Sequence, residues 1–109
     1  MADLLPLSVC SSAVKLTTED EGFSLHLVDG DGERSFCVRV EFATPFAAVP
    51  VVHVGLSGFD VDHCDSARLR VEVAAVTATG FEIVLTTWRA TKVYGADVSW
   101  FAIGTPQLT

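Results

Sequence analysis

The chain has 109 residues, 50 % of them hydrophobic and 19 % charged, which supplies enough apolar surface for one packed domain and excludes intrinsic disorder. Fourteen acidic against seven basic residues leave a net charge of −7, so phosphate backbones and anionic lipid are repelled and nucleic acid is not an expected partner. No apolar run approaches the roughly 18 residues that mark a spanning helix, so no membrane insertion is expected.

Residues 4–13 are apolar but follow Asp3 with no Lys or Arg before them and contain Pro6, a poor match to a signal peptide. Cys10, Cys37 and Cys64 cannot all pair within one chain, and none has CxxC spacing. Free thiols, and a cytoplasmic or non-classically released protein, are therefore expected. Residues 23–28 alternate, which predicts a strand with Phe23, Leu25 and Leu27 inward, ending at the turn signal Asp29-Gly30-Asp31-Gly32-Glu33-Arg34. Residues 35–42 are the clearest strand: Phe36, Val38, Val40 and Phe42 share one face, and Cys37, Arg39 and Glu41 the other. Pro45 and Pro50 bracket a loop.

Residues 51–56 are largely apolar on both parities, which predicts a strand buried on both faces. Residues 57–67 are polar and Gly/Asp-rich, hence a loop, and residues 68–76 alternate again, with Leu69, Val71 and Val73 inward and Arg68, Arg70 and Glu72 outward. Ala78-Thr79-Gly80 makes a hairpin turn into residues 80–102, the stretch that organises the chain. Phe81, Ile83 and Leu85 alternate with Glu82, Val84 and Thr86, Trp88 falls on the outward parity, and Tyr94, Ala96, Val98 and Trp100 resume a register after Arg89, Thr91 and Lys92. Two strands thus flank a polar turn whose rings, Trp88 and Tyr94, can stay partly wet, while Trp100 lies mid-strand and reads as core. Six or seven short strands with no sustained 3.6-residue period predict an all-β, two-sheet sandwich forming a single domain over residues 1–109.

Two acidic clusters invite a metal. Asp29, Asp31 and Glu33 alternate beside Gly32, but a calcium loop of the EF-hand type needs Gly where Arg34 stands and a bidentate Glu where Val40 stands, so a solvated turn is the favoured reading. Asp60, Asp62, His63, Cys64 and Asp65 have the polarity of any surface loop, and no metal is assigned there. His26, His53 and His63 lie in separate segments, and no Ser or Cys sits in a recognised nucleophile motif, so nothing argues for an enzyme. Rim aromatics beside arginines and carboxylates do suit a neutral polyol, whose C–H face rests on a ring while its hydroxyls meet guanidinium and carboxylate; aromatics at strand ends also serve subunit contacts.

The stretch Thr79-Gly80-Phe81 … Thr87-Trp88 … Thr91-Lys92-Val93-Tyr94 … Val98-Ser99-Trp100, preceded by Val40-Glu41-Phe42-Ala43-Thr44-Pro45-Phe46 and Pro50-Val51-Val52-His53-Val54, resembles the H-type lectin domain of snail agglutinins and discoidin C-terminal domains. The resemblance runs from about residue 31 to residue 103. It implies a small antiparallel β-sandwich of about six strands that forms a trimer, often doubled to a hexamer, and binds galactose or N-acetylgalactosamine in clefts between protomers, without cofactor or metal. Residue by residue it implies aromatic walls at Trp88 and Tyr94, a sugar-binding Arg68, and a carboxylate, Asp31, contributed by the neighbouring protomer. Arg89 stands where snail members carry histidine, and Asp29 where they carry glycine; an Asp29 carboxylate in the cleft would disfavour anionic glycans. The disulfides of secreted snail members have no counterpart among Cys10, Cys37 and Cys64. The expected function is a multivalent lectin acting by avidity, as in agglutination or cell adhesion; the alternative is an oligomerisation or attachment module that has lost the sugar site. A glycan hydrolase would need two carboxylates across the sugar, and Asp29 and Asp31 are too close in sequence to supply them.

Overall fold

The computed structural model describes residues 6–28, 30 and 32–107. Six strands follow in chain order: β1 (Ser8–Thr17), β2 (Arg34–Glu41), β3 (Val51–Val61), β4 (Arg70–Ala74), β5 (Gly80–Thr87) and β6 (Val93–Gly104). They form two three-stranded antiparallel sheets, ordered β1-β6-β3 and β2-β5-β4, so the fold is the all-β sandwich that alternation predicts. β5 and β6, adjacent in sequence, do not pair: each is the central strand of a different sheet, and residues 88–92 cross between the two.

Register turns the period of two into packing. Leu85 lies between Phe36 and Val71, Ile83 between Val38 and Val73, and Phe81 opposite Val40, so three apolar rungs face inward from the β2-β5-β4 sheet. β6 answers with Ala96, Val98, Trp100 and Ala102, all buried. Between the sheets the rings of Phe42, Phe81 and Trp100 meet in tilted and edge-on pairs with centroids 5.1–5.9 Å apart, and Phe46 meets Phe42 edge-on at 5.1 Å. Trp100 is core, as expected; its indole Nε1 has no partner among the described residues.

Three segments differ from the sequence-based expectation. Residues 23–28 are turns rather than a strand, closed by Phe23 N–H to Asp20 O and Leu27 N–H to Ser24 O. They lie across one open end of the sandwich, where Phe23 and Leu25 plug the core but Leu27 stays 58 % exposed. Alternation there reports two plugging side chains, not a ladder. The expected loop at residues 57–61 instead extends β3, and irregularities between Leu56 and Gly58 and between Asp60 and Val61 scramble the parity that would have betrayed a strand. β1 was not foreseen because its inward parity, Cys10, Ser12, Val14 and Leu16, mixes small and polar residues with apolar ones.

The outer face of β3 is the fourth difference. Val51 and His53 are exposed rather than buried, and they continue across the sheet into two mostly apolar rungs, Val9–Ile103–Val51 and Ser11–Phe101–His53. The His53 ring lies 5.3 Å from that of Phe101. The next rung, Ala13–Ser99–Gly55, is also uncharged, so a single chain leaves an apolar sheet face in water.

The hairpin turn also explains its glycine. A Cβ on Gly80 would come within 2.2 Å of the Val40 carbonyl oxygen across the β2–β5 ladder. Gly80→Ala is expected to destabilise the fold by at least about 2 kcal/mol, through forced separation of two backbones that cannot repack like side chains. Urea unfolding reads this out; a midpoint unchanged from the parent would refute the close approach.

Candidate functional site

The cross-over at residues 88–92 is held by a part-buried fastening. Arg34, the first residue of β2, lies on the same parity as Phe36 and Val38, and its guanidinium donates to backbone carbonyls instead of to an acid. Nη1 donates to Arg89 O at 2.7 Å, and Nη2 donates to Thr91 O and, at 3.5 Å, to Leu25 O. Nη1 also reaches Gly32 O at 3.3 Å. Leu25 O further accepts the Val93 N–H, so one guanidinium joins the plug at residues 23–25, the start of β2 and the cross-over. Sequence reading gave Arg34 no role beyond its turn; the signal was a cation on an otherwise apolar parity.

Arg68 is tied to the same cross-over from the other side. Its Nη1 donates to the Thr91 hydroxyl at 3.0 Å and to Asp65 Oδ2 at 3.3 Å, and its carbonyl accepts from the Thr87 hydroxyl. Thr91, itself buried, donates to Ser66 O at 2.6 Å. Asp65 is held below the ordinary aspartate range, first by the Ser66 N–H and then by the Arg68 hydrogen bond. The Arg68 side chain as a whole keeps 21 % of its surface, so these contacts hold it without sealing it from solvent.

Trp88, half-buried at the end of β5, carries the Arg70 guanidinium 5.4 Å above its ring centroid. Arg89 follows in the left-handed region at φ 58°, exposed, with its carbonyl taken by Arg34. Arg34, Arg68, Arg70, Arg89 and Lys92 thus all lie at this end, five of the seven basic residues of an acidic chain. Asp65 pairs with Arg68, and Glu33 and Glu72 pair with Arg70, so this end carries both signs of charge.

Tyr94 stands apart from Trp88. It lies at the start of β6 in the other sheet, 38 % exposed, with its ring 6.2 Å from His26. It borders a surface depression of about 210 Å³ lined also by Lys15, Phe59, Asp60 and Asp97. No aromatic pair joins it to Trp88 among the described residues. Asp29 and Asp31 lie outside the described residues. Their neighbours Gly32 and Glu33 are at the same end of the same chain as Trp88, through Arg34 and through an ion pair of Glu33 with Arg70 at 3.5 Å.

A metal finds weak footing. Ligand atoms of Asp62, His63 and Cys64 lie within 4.8 Å of one another, but Asp62 Oδ1 already accepts the Cys64 N–H at 3.0 Å, the bond that closes this exposed turn. Asp62 is consequently pulled below the ordinary range, chiefly by that N–H, and the Cys64 thiol is raised by the same carboxylate. Cys10, Cys37 and Cys64 are free.

The family model for the H-type lectin domain matches residues 37–103. A product of Fuscovulum blasticum described as ATP synthase subunits region ORF 7 is 39 % identical over 75 residues, 69 % of this chain and 65 % of that protein. A discoidin-1 polypeptide of Dictyostelium discoideum is 33 % identical over 82 residues, 74 % of this chain and 32 % of that one. The solved structure of discoidin II from the same organism superposes with a TM-score of 0.75 at 26 % identity, covering 93 % of this chain and 38 % of that one. The chain therefore spans about a third of the discoidins it resembles.

The Thr91 hydroxyl both donates to Ser66 O and accepts from Arg68, so Thr91→Val removes two hydrogen bonds at a buried position. An expected loss of about 1–3 kcal/mol is checked by chemical denaturation; no loss would mean the ties are not formed. For Asp65 the sign is that of a depressed carboxylate. Its charge, and its hold on Arg68, persist above the unfolded value of about 3.9 and vanish as pH falls through the lower folded value. Titration of the Asp65 carboxyl by NMR should give a midpoint below that of Asp65 in an unfolded peptide, and a normal midpoint would contradict the contact.

Proposed function

The chain belongs to the H-type lectin domain family, and on that premise we propose that it is a non-enzymatic, multivalent carbohydrate-binding protein for terminal galactose and N-acetylgalactosamine. The observation that carries the reading is Arg68: a guanidinium held by Thr91 and Asp65, on a side chain that still reaches solvent, at the same end as the half-buried ring of Trp88. Galactose differs from glucose by an axial O4, and only donors of fixed position can tell the two apart. In this reading Arg68 donates to ring hydroxyls, Trp88 and Tyr94 receive the apolar C–H faces, Asp31 contributed by the neighbouring protomer accepts from hydroxyls near O4, and Arg89 and Asp29 tune the choice of glycan.

Trp88 and Tyr94 belong to different sheets, and this separation favours a cleft completed by a second protomer. The uncovered face carrying Val9, Val51, Phe101 and Ile103 supplies a reason to assemble, since its rungs contain no Lys, Arg, Asp or Glu and burying it against further copies removes apolar surface from water. Trimers or hexamers built this way would bind cell-surface glycans weakly per site and gain roughly 10²–10⁴ in apparent affinity from simultaneous engagement. That uncovered face equally suits an attachment module without sugar binding, the alternative reading, which shares the assembly and lacks the ligand.

Two substitutions test the site. Trp88→Ala and Arg68→Ala should each abolish retention on immobilised galactosides at unchanged solution mass, whereas retention by both variants would overturn the assignment. A third tests the assembly: Phe101→Glu is expected to give a monomer that neither agglutinates galactoside-coated beads nor holds the sugar. A monomer with wild-type affinity contradicts the shared cleft.

A further inference from the structure

Among the described residues Arg70 is the one cation at the site end that stacks on an aromatic wall, and nothing in the reading above uses it. It opens β4 opposite Thr86, so its side chain leaves the same outer face of the sheet as Trp88, two residues further along the chain from Thr86. Its guanidinium carbon lies 5.4 Å from the Trp88 ring centroid. The head is oriented from two sides: Nε donates to Glu72 Oε1 at 2.9 Å, and Nη2 pairs with Glu33 Oε1 at 3.5 Å. Glu72 is on β4 itself, but Glu33 belongs to the segment before β2, whose Gly32 carbonyl is taken by Arg34. Arg70 therefore bridges the indole and the segment that leads into β2.

We propose that Arg70 is a positioning residue of the sugar site, its guanidinium held by Glu72 and Glu33 over one face of the Trp88 indole so that the ring is fixed in orientation and ligand is left the opposite face. The proposal rests on the lectin reading. The ion pairs are exposed and solvent-screened, with 44 % of the Arg70 side chain in contact with water, so they orient the guanidinium more than they stabilise the fold. The stack is the contact that matters to the ligand. A ring held in place loses less freedom when a sugar settles on it, and the guanidinium withdraws one face from competing contacts.

The chain provides its own reporter. Trp88 and Trp100 are its only tryptophans, and Trp100 is buried, so an indole signal that responds to sugar or to collisional quencher reads Trp88. Arg70→Met keeps much of the stem and removes the charge; Arg70→Lys keeps the charge and part of the stack. Titration of the intact protein with methyl galactoside is expected to show affinity about two- to fivefold weaker for Arg70→Met and intermediate for Arg70→Lys, the range an exposed cation–π contact allows. Acrylamide should quench the Trp88 emission more strongly in Arg70→Met than in wild type, with melting temperature and solution mass unchanged. Glu33→Gln, which leaves the stack intact, should lose less affinity than Arg70→Met. If wild type binds and Arg70→Met binds equally well with unaltered quenching, the positioning role is wrong while the lectin reading stands. If wild type binds no galactoside, the lectin reading falls and this inference with it.

Discussion

The Arg34 guanidinium is the contact on which the site end depends. Cations drawn into a fold usually meet carboxylates; this one meets carbonyl oxygens of Arg89, Thr91 and Leu25. Two of those carbonyls belong to the connection that carries the chain from one sheet to the other, a segment with no ladder to satisfy its own backbone. Arg34 supplies the missing donors and thereby fixes where Trp88 leaves β5 and where Tyr94 enters β6. A left-handed Arg89 at φ 58° is a conformation of modest cost, sustained because its carbonyl is held in this way.

From that fastening the rest follows in layers. Arg68 reaches the cross-over through Thr91, and Arg70 reaches it through Trp88, so β4 and the residues just before it are tied to the connection at two points. The opposite sheet contributes differently. It delivers Tyr94 beside His26 at the same end and leaves an uncharged outer face along Val9, Ile103 and Val51. One sheet presents donors and a ring, while the other presents an apolar outer face. The proposed binding, strengthened by assembly, would draw on both.

The sandwich was legible because the inward sets of β2, β4 and β5 contrast sharply with their outward neighbours; Phe36, Val38 and Val40 against Cys37, Arg39 and Glu41 is the clearest case. Where contrast fails, so does the reading. On its inward parity β1 has a half-buried Cys10 and an exposed Ser12 beside Val14 and Leu16, and bulged β3 shifts parity near Gly58. Residues 23–28 misled in the other direction, since plugging an open end needs spaced apolar side chains just as a strand does. Among the candidate site residues, Trp88 and Tyr94 stand out by type and spacing and Arg68 only through the family resemblance, but that the two rings lie on different sheets is hidden, because a turn between adjacent strands looks the same whether it closes a hairpin or crosses a sandwich. Arg34 is hard to find for a related reason: its parity marks it as inward, yet a cation whose Nη1 and Nη2 donate to carbonyls has no complementary acid for sequence to display.

The most direct test of the account is a nitrogen–proton correlation spectrum of the protein titrated with N-acetylgalactosamine, followed at the two indole N–H signals and the backbone amides. The account predicts saturable shifts at the Trp88 indole and at the amides of Arg68 and Thr91, with the buried Trp100 indole unmoved and no response to N-acetylglucosamine at the same concentration. A spectrum unchanged at millimolar sugar, or one equally responsive to the equatorial epimer, would contradict it.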